Sequence, residues 1–138
     1  MGEARVQVKL INAGDEVMVR RGLMTETQVR TYEANALVDS GAVSTVLPVE
    51  VSRKLGLVTV DQRVAQYANV YQEEVVDLTE PVAIVINGRK TVEQTMILGD
   101  EVLIGQTVLE TLDLHIDCAN HRVIPNPAHP DQTVNKVK

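Results

Sequence analysis

Alternation of polar and apolar residues runs through much of the chain and predicts a protein built mainly from β-strands. It occupies residues 5–10 and resumes at residues 16–20 after an Asn-Ala-Gly-Asp break, so an N-terminal hairpin is predicted. Residues 29–38 predict another strand, which ends in three apolar residues suited to the core. Asp39 follows directly, and a carboxylate therefore stands where this strand ends.

Turn signals indicate two further hairpins. Asn87 and Gly88 both tolerate positive φ and separate two apolar segments, the second predicted to reach residue 98, which is the strongest hairpin signal in the chain. A last hairpin is predicted from residues 114–116 and 122–124.

Helical signals are few. Pro48 and Gly56 stand where proline and glycine commonly begin and end a helix, and residues 106–112 have the composition of a two-turn helix. The expected fold class is therefore all-β with one or two short helices. One domain is expected over residues 1–127, followed by a polar, flexible C-terminal tail over residues 128–138.

Composition narrows the class of protein. The chain has 138 residues, of which 44% are hydrophobic but only 2% aromatic, so one aliphatic, valine-rich core is expected. The formal net charge of -6 argues against nucleic acid as a partner. Cys118 is the only cysteine, and no apolar run is long enough to span a membrane. We expect a soluble, cytoplasmic protein that does not bind membranes.

The tetrapeptide Asp39-Ser40-Gly41-Ala42 carries the chemistry that the sequence suggests. A carboxylate at a strand end can face a cleft, while the glycine lets the chain turn sharply. The serine hydroxyl can bond to an opposing loop. By itself the tetrapeptide is more typical of a plain β-turn, but a second element, Leu103-Ile104-Gly105, follows later in the chain before the predicted second helix.

The order of these motifs resembles the retroviral-type, or retropepsin-like, aspartic peptidases, and in particular their small stand-alone bacterial members. Residues 39–42, residues 103–105 and the Pro-Asn-Pro ending at residues 125–127 match the family in order, and the resemblance covers about residues 29–127. It implies a closed-barrel-like acid protease fold. It also implies an aspartic endopeptidase that acts on peptides or proteins.

The resemblance also implies roles for individual residues. Asp39 corresponds to the catalytic carboxylate and Ser40 to the residue whose hydroxyl locks two active-site loops together. Gly41 and Ala42 complete the active-site loop, and residues 103–105 support it from below. A flap is implied near residues 65–72, and its residues that would contact substrate are Gln66, Tyr67, Ala68, Asn69 and Tyr71.

The chain departs from the viral pattern at one interaction. The viral enzymes follow the catalytic loop with acidic residues and begin the late helix with an arginine that pairs with one of them. Here Val43, Ser44 and Gln106 occupy those places. Both halves of the ion pair are missing together, so no buried charge is left unpaired, but other contacts must stabilise the dimer.

A single Asp-Ser-Gly motif predicts a homodimer. Peptide hydrolysis by carboxyl groups needs one carboxylate as base and one carboxylic acid as proton donor, and the chain has only one copy of the motif. Symmetric pairing of two chains supplies the second. No metal or cofactor is expected. The alternative is a catalytically inactive module that uses the same groove to bind peptides or to dimerise.

Two other site chemistries are less consistent with the sequence. No Gly-x-Ser-x-Gly motif surrounds Ser40, which argues against a serine hydrolase. His115, Asp117, Cys118 and His121 form a metal-like cluster, but their spacing matches no common zinc pattern. An ordinary hairpin is predicted instead, with Asp117 bracing the turn and Cys118 as a small buried residue.

Overall fold

The computed structural model describes residues 3–67 and 72–137, and it confirms the predicted all-β class. Within those ranges it has three short helices rather than one or two, α1 (Ala13–Arg20), α2 (Val49–Lys54) and α3 (Gln106–Thr111). None of the described helices is long and apolar enough to cross a bilayer. The strands are β1 (Arg5–Asn12), β2 (Thr31–Val38), β3 (Val46–Leu47), β4 (Thr59–Gln66), β5 (Glu73–Thr79), β6 (Val82–Ile86), β7 (Arg89–Glu93), β8 (Met96–Ile97), β9 (Leu103–Ile104), β10 (Leu114–Asp117) and β11 (Arg122–Pro125).

Strand order places distant parts of the sequence side by side. Nine strands form one sheet in the order β4-β5-β8-β3-β9-β2-β1-β6-β7, and β10 pairs with β11 in a separate hairpin. The short strand β9 lies between β2, with which it runs parallel, and β3, with which it runs antiparallel. Because β2 and β3 flank residues 39–45, β9 contacts the strands on both sides of the predicted active-site loop.

An aliphatic core holds the sheet and helices together. Its fully buried members come from β1, β6, β9 and the ends of α2 and α3, and they include Leu10, Leu55, Ile84, Ile104 and Leu112. Each such side chain contributes on the order of 1.5–3 kcal/mol when it is removed from water. A core of this kind is what the near absence of aromatic residues predicts.

The predicted N-terminal hairpin is wrong, because residues 13–20 form helix α1 instead of a second strand. Asn12 caps this helix through its side-chain oxygen, which accepts from the Asp15 backbone N–H at 3.0 Å, and its amide donates to the Leu55 carbonyl at 2.8 Å. The buried Asp15 carboxylate accepts two hydrogen bonds from the Arg30 guanidinium, each 2.9 Å long. These contacts to distant residues favour a helix, and β1 pairs with β2 and β6 instead.

The other predicted elements are largely confirmed. Asn87 and Gly88 adopt φ of 52° and 76° in the turn between β6 and β7. The strand after that turn ends at Glu93, earlier than predicted, and β8 follows as a separate strand. Gly56 has a φ of 63° after α2, as its predicted place at the end of a helix requires. The final hairpin forms from β10 and β11.

The segment after β11 makes specific contacts with the loop that follows α3. Buried Arg89 donates to the carbonyls of Leu112, Asp113 and His129 at 2.6 to 3.0 Å. The Asp113 carboxylate accepts from the Asn126 amide at 2.8 Å and contacts His129 Nδ1 at 2.7 Å. The amide and the imidazole, in that order, lower the pKa of Asp113. The domain boundary at residue 127 stays a prediction.

Candidate active site

Backbone hydrogen bonds fix Asp39 where β2 ends. Its N–H donates to the Ile104 carbonyl of β9 at 3.0 Å, and the Leu37 N–H donates to the Val102 carbonyl at the same distance. The side chain is nevertheless exposed. Asp39 Oδ1 accepts from the Gly41 backbone N–H at 2.9 Å, whereas Oδ2 accepts no hydrogen bond from any described residue. One oxygen thus orients the carboxylate and the other is available for a ligand.

The glycine of the loop lies close to this carboxylate. A Cβ atom on Gly41 would lie 3.1 Å from Asp39 Oδ1, tighter than ordinary van der Waals contact. The loop closes with a hydrogen bond from the Ala42 N–H to the Asp39 carbonyl at 3.1 Å. Ser40 is exposed in this turn, and its predicted role in locking two loops together stays a prediction.

Strand β9 and helix α3 pack against the far side of the loop. A Cβ atom on Gly105 would lie 2.6 Å from the Val43 carbonyl oxygen and 2.7 Å from that of Ser44, so only glycine permits the approach. The first two amides of α3 use this closeness. Gln106 N–H donates to the Ala42 carbonyl at 2.7 Å, and Thr107 N–H donates to the Val43 carbonyl at 3.2 Å. Backbone groups of α3 therefore hold the loop at Ala42 and Val43.

A cleft of about 750 Å³ opens beside Asp39. Its walls bring together residues from the loop, from β4 and β5, and from the segment before β9. Among the described residues that line it, Asp39 is the only acidic one. The lining residues are Asp39, Gly41, Ala42, Val43, Ser44, Val46, Arg63, Val64, Ala65, Gln66, Tyr67, Leu78, Gln94, Met96, Leu98 and Leu103.

Of the nine predicted site residues that the structure describes, six line this cleft. Asp39, Gly41, Ala42, Gln66, Tyr67 and Leu103 line it directly. Ile104 and Gly105 are buried behind the loop. Ser40 instead lines a second groove of about 580 Å³ on the other side of Asp39, together with Ile116, Cys118 and His121. The predicted flap residues Ala68, Asn69 and Tyr71 lie outside the described residues.

The hairpin of β4 and β5 forms one wall of the cleft. The two strands pair up to Gln66 and Glu73, and the Tyr67 N–H donates to the Gln72 carbonyl at 3.2 Å. The Tyr67 hydroxyl donates to the Glu74 carboxylate, and this hydrogen bond raises the pKa of Tyr67. Val64 and Val75 expose about three fifths of their surface on this hairpin (61% and 64%). Tyr67 is thus tied to its own hairpin while it faces the cleft.

Sequence motifs did not indicate two residues that contact the loop, Glu93 and Thr107. The Thr107 hydroxyl lies 3.0 Å from the Val43 carbonyl oxygen and 3.2 Å from each oxygen of the Glu93 carboxyl group. Burial raises the pKa of Glu93. In the sequence Glu93 is a polar position inside the strand predicted to reach residue 98, and only its contact with Thr107 of α3 reveals its role. Arg63 and Gln94 also line the cleft, although no sequence motif indicated them.

The late hairpin is braced by Asp117 as predicted. Its carboxylate accepts from the Asn120 side chain at 2.8 Å and from Arg122 Nε at 3.1 Å. The expectation that Cys118 is buried is wrong, because it follows the last residue of β10 in an exposed turn. Within residues 3–67 and 72–137, no group of three or more His, Cys, Asp or Glu side chains is placed to hold a metal ion.

Comparison with known proteins finds likeness in fold. No family model matches the sequence, and no curated protein does. Solved structures that resemble the chain include the protease of simian foamy virus, with 14% identity and a TM-score of 0.48 over 76% of this chain and 90% of that one. They also include the EIAV protease in complex with the inhibitor HBY-793, with 21% identity and a TM-score of 0.48 over 78% and 86%. Both are retroviral proteases, as the motif resemblance implies, and the likeness assigns no activity to this chain.

Proposed function

We propose that the chain is one subunit of a homodimeric aspartic endopeptidase in which each copy supplies Asp39. The proposal rests on how the structure holds Asp39. Its backbone is fixed by β9, its carboxylate is oriented by the Gly41 amide, and its second oxygen is free of described partners at the edge of a cleft. A surface turn would need none of these supports.

The cleft itself argues for a second chain. Asp39 is the only acid among the lining residues that the structure describes, and these residues of one chain do not provide both a base and an acid at this place. A twofold axis beside the loop would bring Asp39 and its counterpart together. Two carboxyl groups at hydrogen-bond distance share one proton, because both cannot ionise in such proximity.

The shared proton gives the pair its chemistry. In the proposed mechanism the ionised carboxylate takes a proton from water as the oxygen attacks the peptide carbonyl carbon. The protonated carboxyl group donates its proton to the carbonyl oxygen. Collapse of the tetrahedral intermediate breaks the C–N bond, and the leaving nitrogen receives the proton that water released. One hydroxyl of the intermediate returns its proton to the other carboxylate, which restores the singly protonated pair.

The walls of the cleft suit an extended peptide. Val64, Met96 and Leu98 offer apolar surface to side chains, and Arg63 and Gln94 offer donors at its polar part. Main-chain groups of an extended substrate can pair with exposed backbone in the manner of an added strand. The substrate class proposed is therefore unfolded or flexible polypeptide.

The test compares wild type with Asp39→Asn on a mixed peptide library, read by mass spectrometry, with and without pepstatin. We expect Asp39→Asn to lower the cleavage rate at least about 100-fold while the fold is kept, because the pair loses its base. Asp100→Asn is the matched control, since Asp100 is exposed and does not line the cleft. Identical products from wild type and Asp39→Asn would remove the catalytic proposal, and peptide binding without cleavage would establish the inactive module instead.

A further inference from the structure

A chain of three polar groups lies behind the active-site loop. Glu93 at the end of β7, Thr107 in the first turn of α3 and the carbonyl of Val43 in the loop meet at the Thr107 hydroxyl. The same Val43 carbonyl accepts the Thr107 backbone N–H. Glu93 itself does not line the cleft, so any effect on Asp39 has to pass through the loop.

The number of hydrogens available shows in which charge state of Glu93 all three groups are hydrogen-bonded to one another. A threonine hydroxyl has one hydrogen, whereas a carbonyl oxygen and an ionised carboxylate only accept. With Glu93 ionised, that hydrogen can point to Glu93 or to Val43, and the other contact is left as two facing oxygens about 3 Å apart. With a proton on Glu93, the carboxyl group donates to Thr107 and Thr107 donates to Val43, so every contact has a donor.

We propose that Glu93 is a positioning residue whose protonated form completes a hydrogen-bond relay through Thr107 to Val43 and thereby fixes the active-site loop. The relay stands where the resembling viral enzymes place an ion pair. Its effect on cleavage rests on the proposed function, whereas its effect on the loop does not. Ionisation of Glu93 breaks one contact of the relay and loosens the loop.

The surroundings of Glu93 favour the protonated form. Burial raises its pKa, and hydrogen bonds from the Thr107 hydroxyl and the Thr45 backbone only partly oppose that shift. Because the folded state binds this proton more tightly than the unfolded state, the contribution to stability is present at low pH. It is lost as pH rises through the folded-state pKa.

Charged groups on the neighbouring elements are engaged elsewhere. Helix α3 carries Glu110, which accepts from the Gln106 amide, and β7 carries Lys90, which pairs with Glu16. Arg89 of β7 donates to three backbone carbonyls, and β6 has no charged residue. The loop carries only Asp39, whose carboxylate accepts from Gly41. Protonation of Glu93 therefore leaves no described cation without its partner.

The relay reaches Asp39 through consecutive backbone bonds. Val43 is held by Thr107, the preceding carbonyl of Ala42 is held by the Gln106 N–H, and the Ala42 N–H donates to the Asp39 carbonyl. Loss of the Thr107 contact at Val43 therefore loosens the same loop that orients the catalytic carboxylate. Protonated Glu93 orders the loop. This fits the proposed pair of Asp39 carboxyl groups, which works while it holds one proton.

The experiment measures the relay without reference to activity. Carbon-13 NMR follows the titration of the Glu93 carboxyl carbon, and amide hydrogen exchange follows protection of the Gln106 and Thr107 N–H groups. As Glu93 ionises, we expect protection of both amides to fall roughly fivefold, the effect of one net hydrogen bond. Glu93→Gln keeps a donor to Thr107 at every pH, so its protection should not change over the same range. Glu110→Gln is the matched control on the same helix and should behave as wild type.

Thr107→Val gives a second test, because it removes the hydroxyl while retaining size and the backbone N–H. In this variant, exchange protection of the Gln106 and Thr107 N–H groups should equal that of wild type with Glu93 ionised, at all pH values. Titration of Glu93 at the ordinary range of a glutamate, or protection that is constant across its titration, would overturn the proposal. If amide protection changes with the ionisation of Glu93 but the protein cleaves no peptide, only the peptidase function is rejected. If the protein cleaves peptides through Asp39 but amide protection stays constant with pH, only the relay is rejected.

Discussion

Asp39 is exposed because of its position in the chain, and its orientation comes from its nearest neighbours. The apolar residues before it end in the core, so the strand carries its backbone to the edge of the sheet. The Gly41 backbone N–H donates to Oδ1 from only two residues away. This local geometry could be expected from the sequence, but the tetrapeptide became informative only together with residues 103–105.

Thr45, at the end of the same loop, leads to a prediction about stability. Its hydroxyl oxygen is buried and has no hydrogen-bond partner among the described residues. Thr45→Val replaces it with a methyl group of similar size, so we expect the free energy of unfolding to rise by about 1 kcal/mol. Urea denaturation measures the change.

Thr79→Val is the matched control for this substitution. The Thr79 hydroxyl is also buried, but it bonds to the Thr95 hydroxyl at 2.8 Å. Its loss should lower the free energy of unfolding by about 1 kcal/mol or more, because Thr95 is left without that partner. Equal destabilisation by both substitutions would show that the Thr45 hydroxyl is satisfied in solution.

At the scale of elements, local patterns predicted the structure where neighbouring residues decide it. The turn at Asn87 and Gly88 needs only residues that tolerate positive φ, and it forms as expected. Residues 16–20 alternate like a strand, yet they lie in α1 because Asn12 and Asp15 bind Leu55 and Arg30. Those partners are distant in sequence, and no local pattern contains them.

Gly105 gives the sharpest prediction at this scale. Alanine there would place a Cβ atom within 2.8 Å of backbone atoms of Val43 and Ser44, which cannot move without shifting the loop. We expect Gly105→Ala to lower the free energy of unfolding by about 1–3 kcal/mol and to weaken exchange protection at Gln106. Calorimetry and hydrogen exchange measure the two effects.

The comparison for Gly105 is Gly22→Ala. Gly22 has a φ of 72°, but a Cβ atom there would meet nothing within 4 Å. It should therefore show only backbone strain of about 1 kcal/mol and no change at Gln106. If Gly105→Ala left the Gln106 amide fully protected, the close packing of α3 on the loop would not be needed to hold it.

At the scale of the whole molecule, the sheet assembles a site from segments that are far apart in sequence. The order β3-β9-β2 puts residues 103–104 between the strands that flank the active-site loop. The order of motifs indicated this arrangement through resemblance to a family. Glu93 and Thr107 belong to none of the sequence motifs. Only the folded structure brings them to the Val43 carbonyl.

The central claim is that each active site uses Asp39 from two chains. Mixing wild type with Asp39→Asn at constant total concentration, after subunit exchange verified by native mass spectrometry, tests it directly. At equal amounts the account predicts about one quarter of the wild-type cleavage rate, since random pairing leaves about one dimer in four with both carboxylates. A rate near one half, falling in proportion to the wild-type fraction, would show that a single Asp39 suffices and would contradict the account.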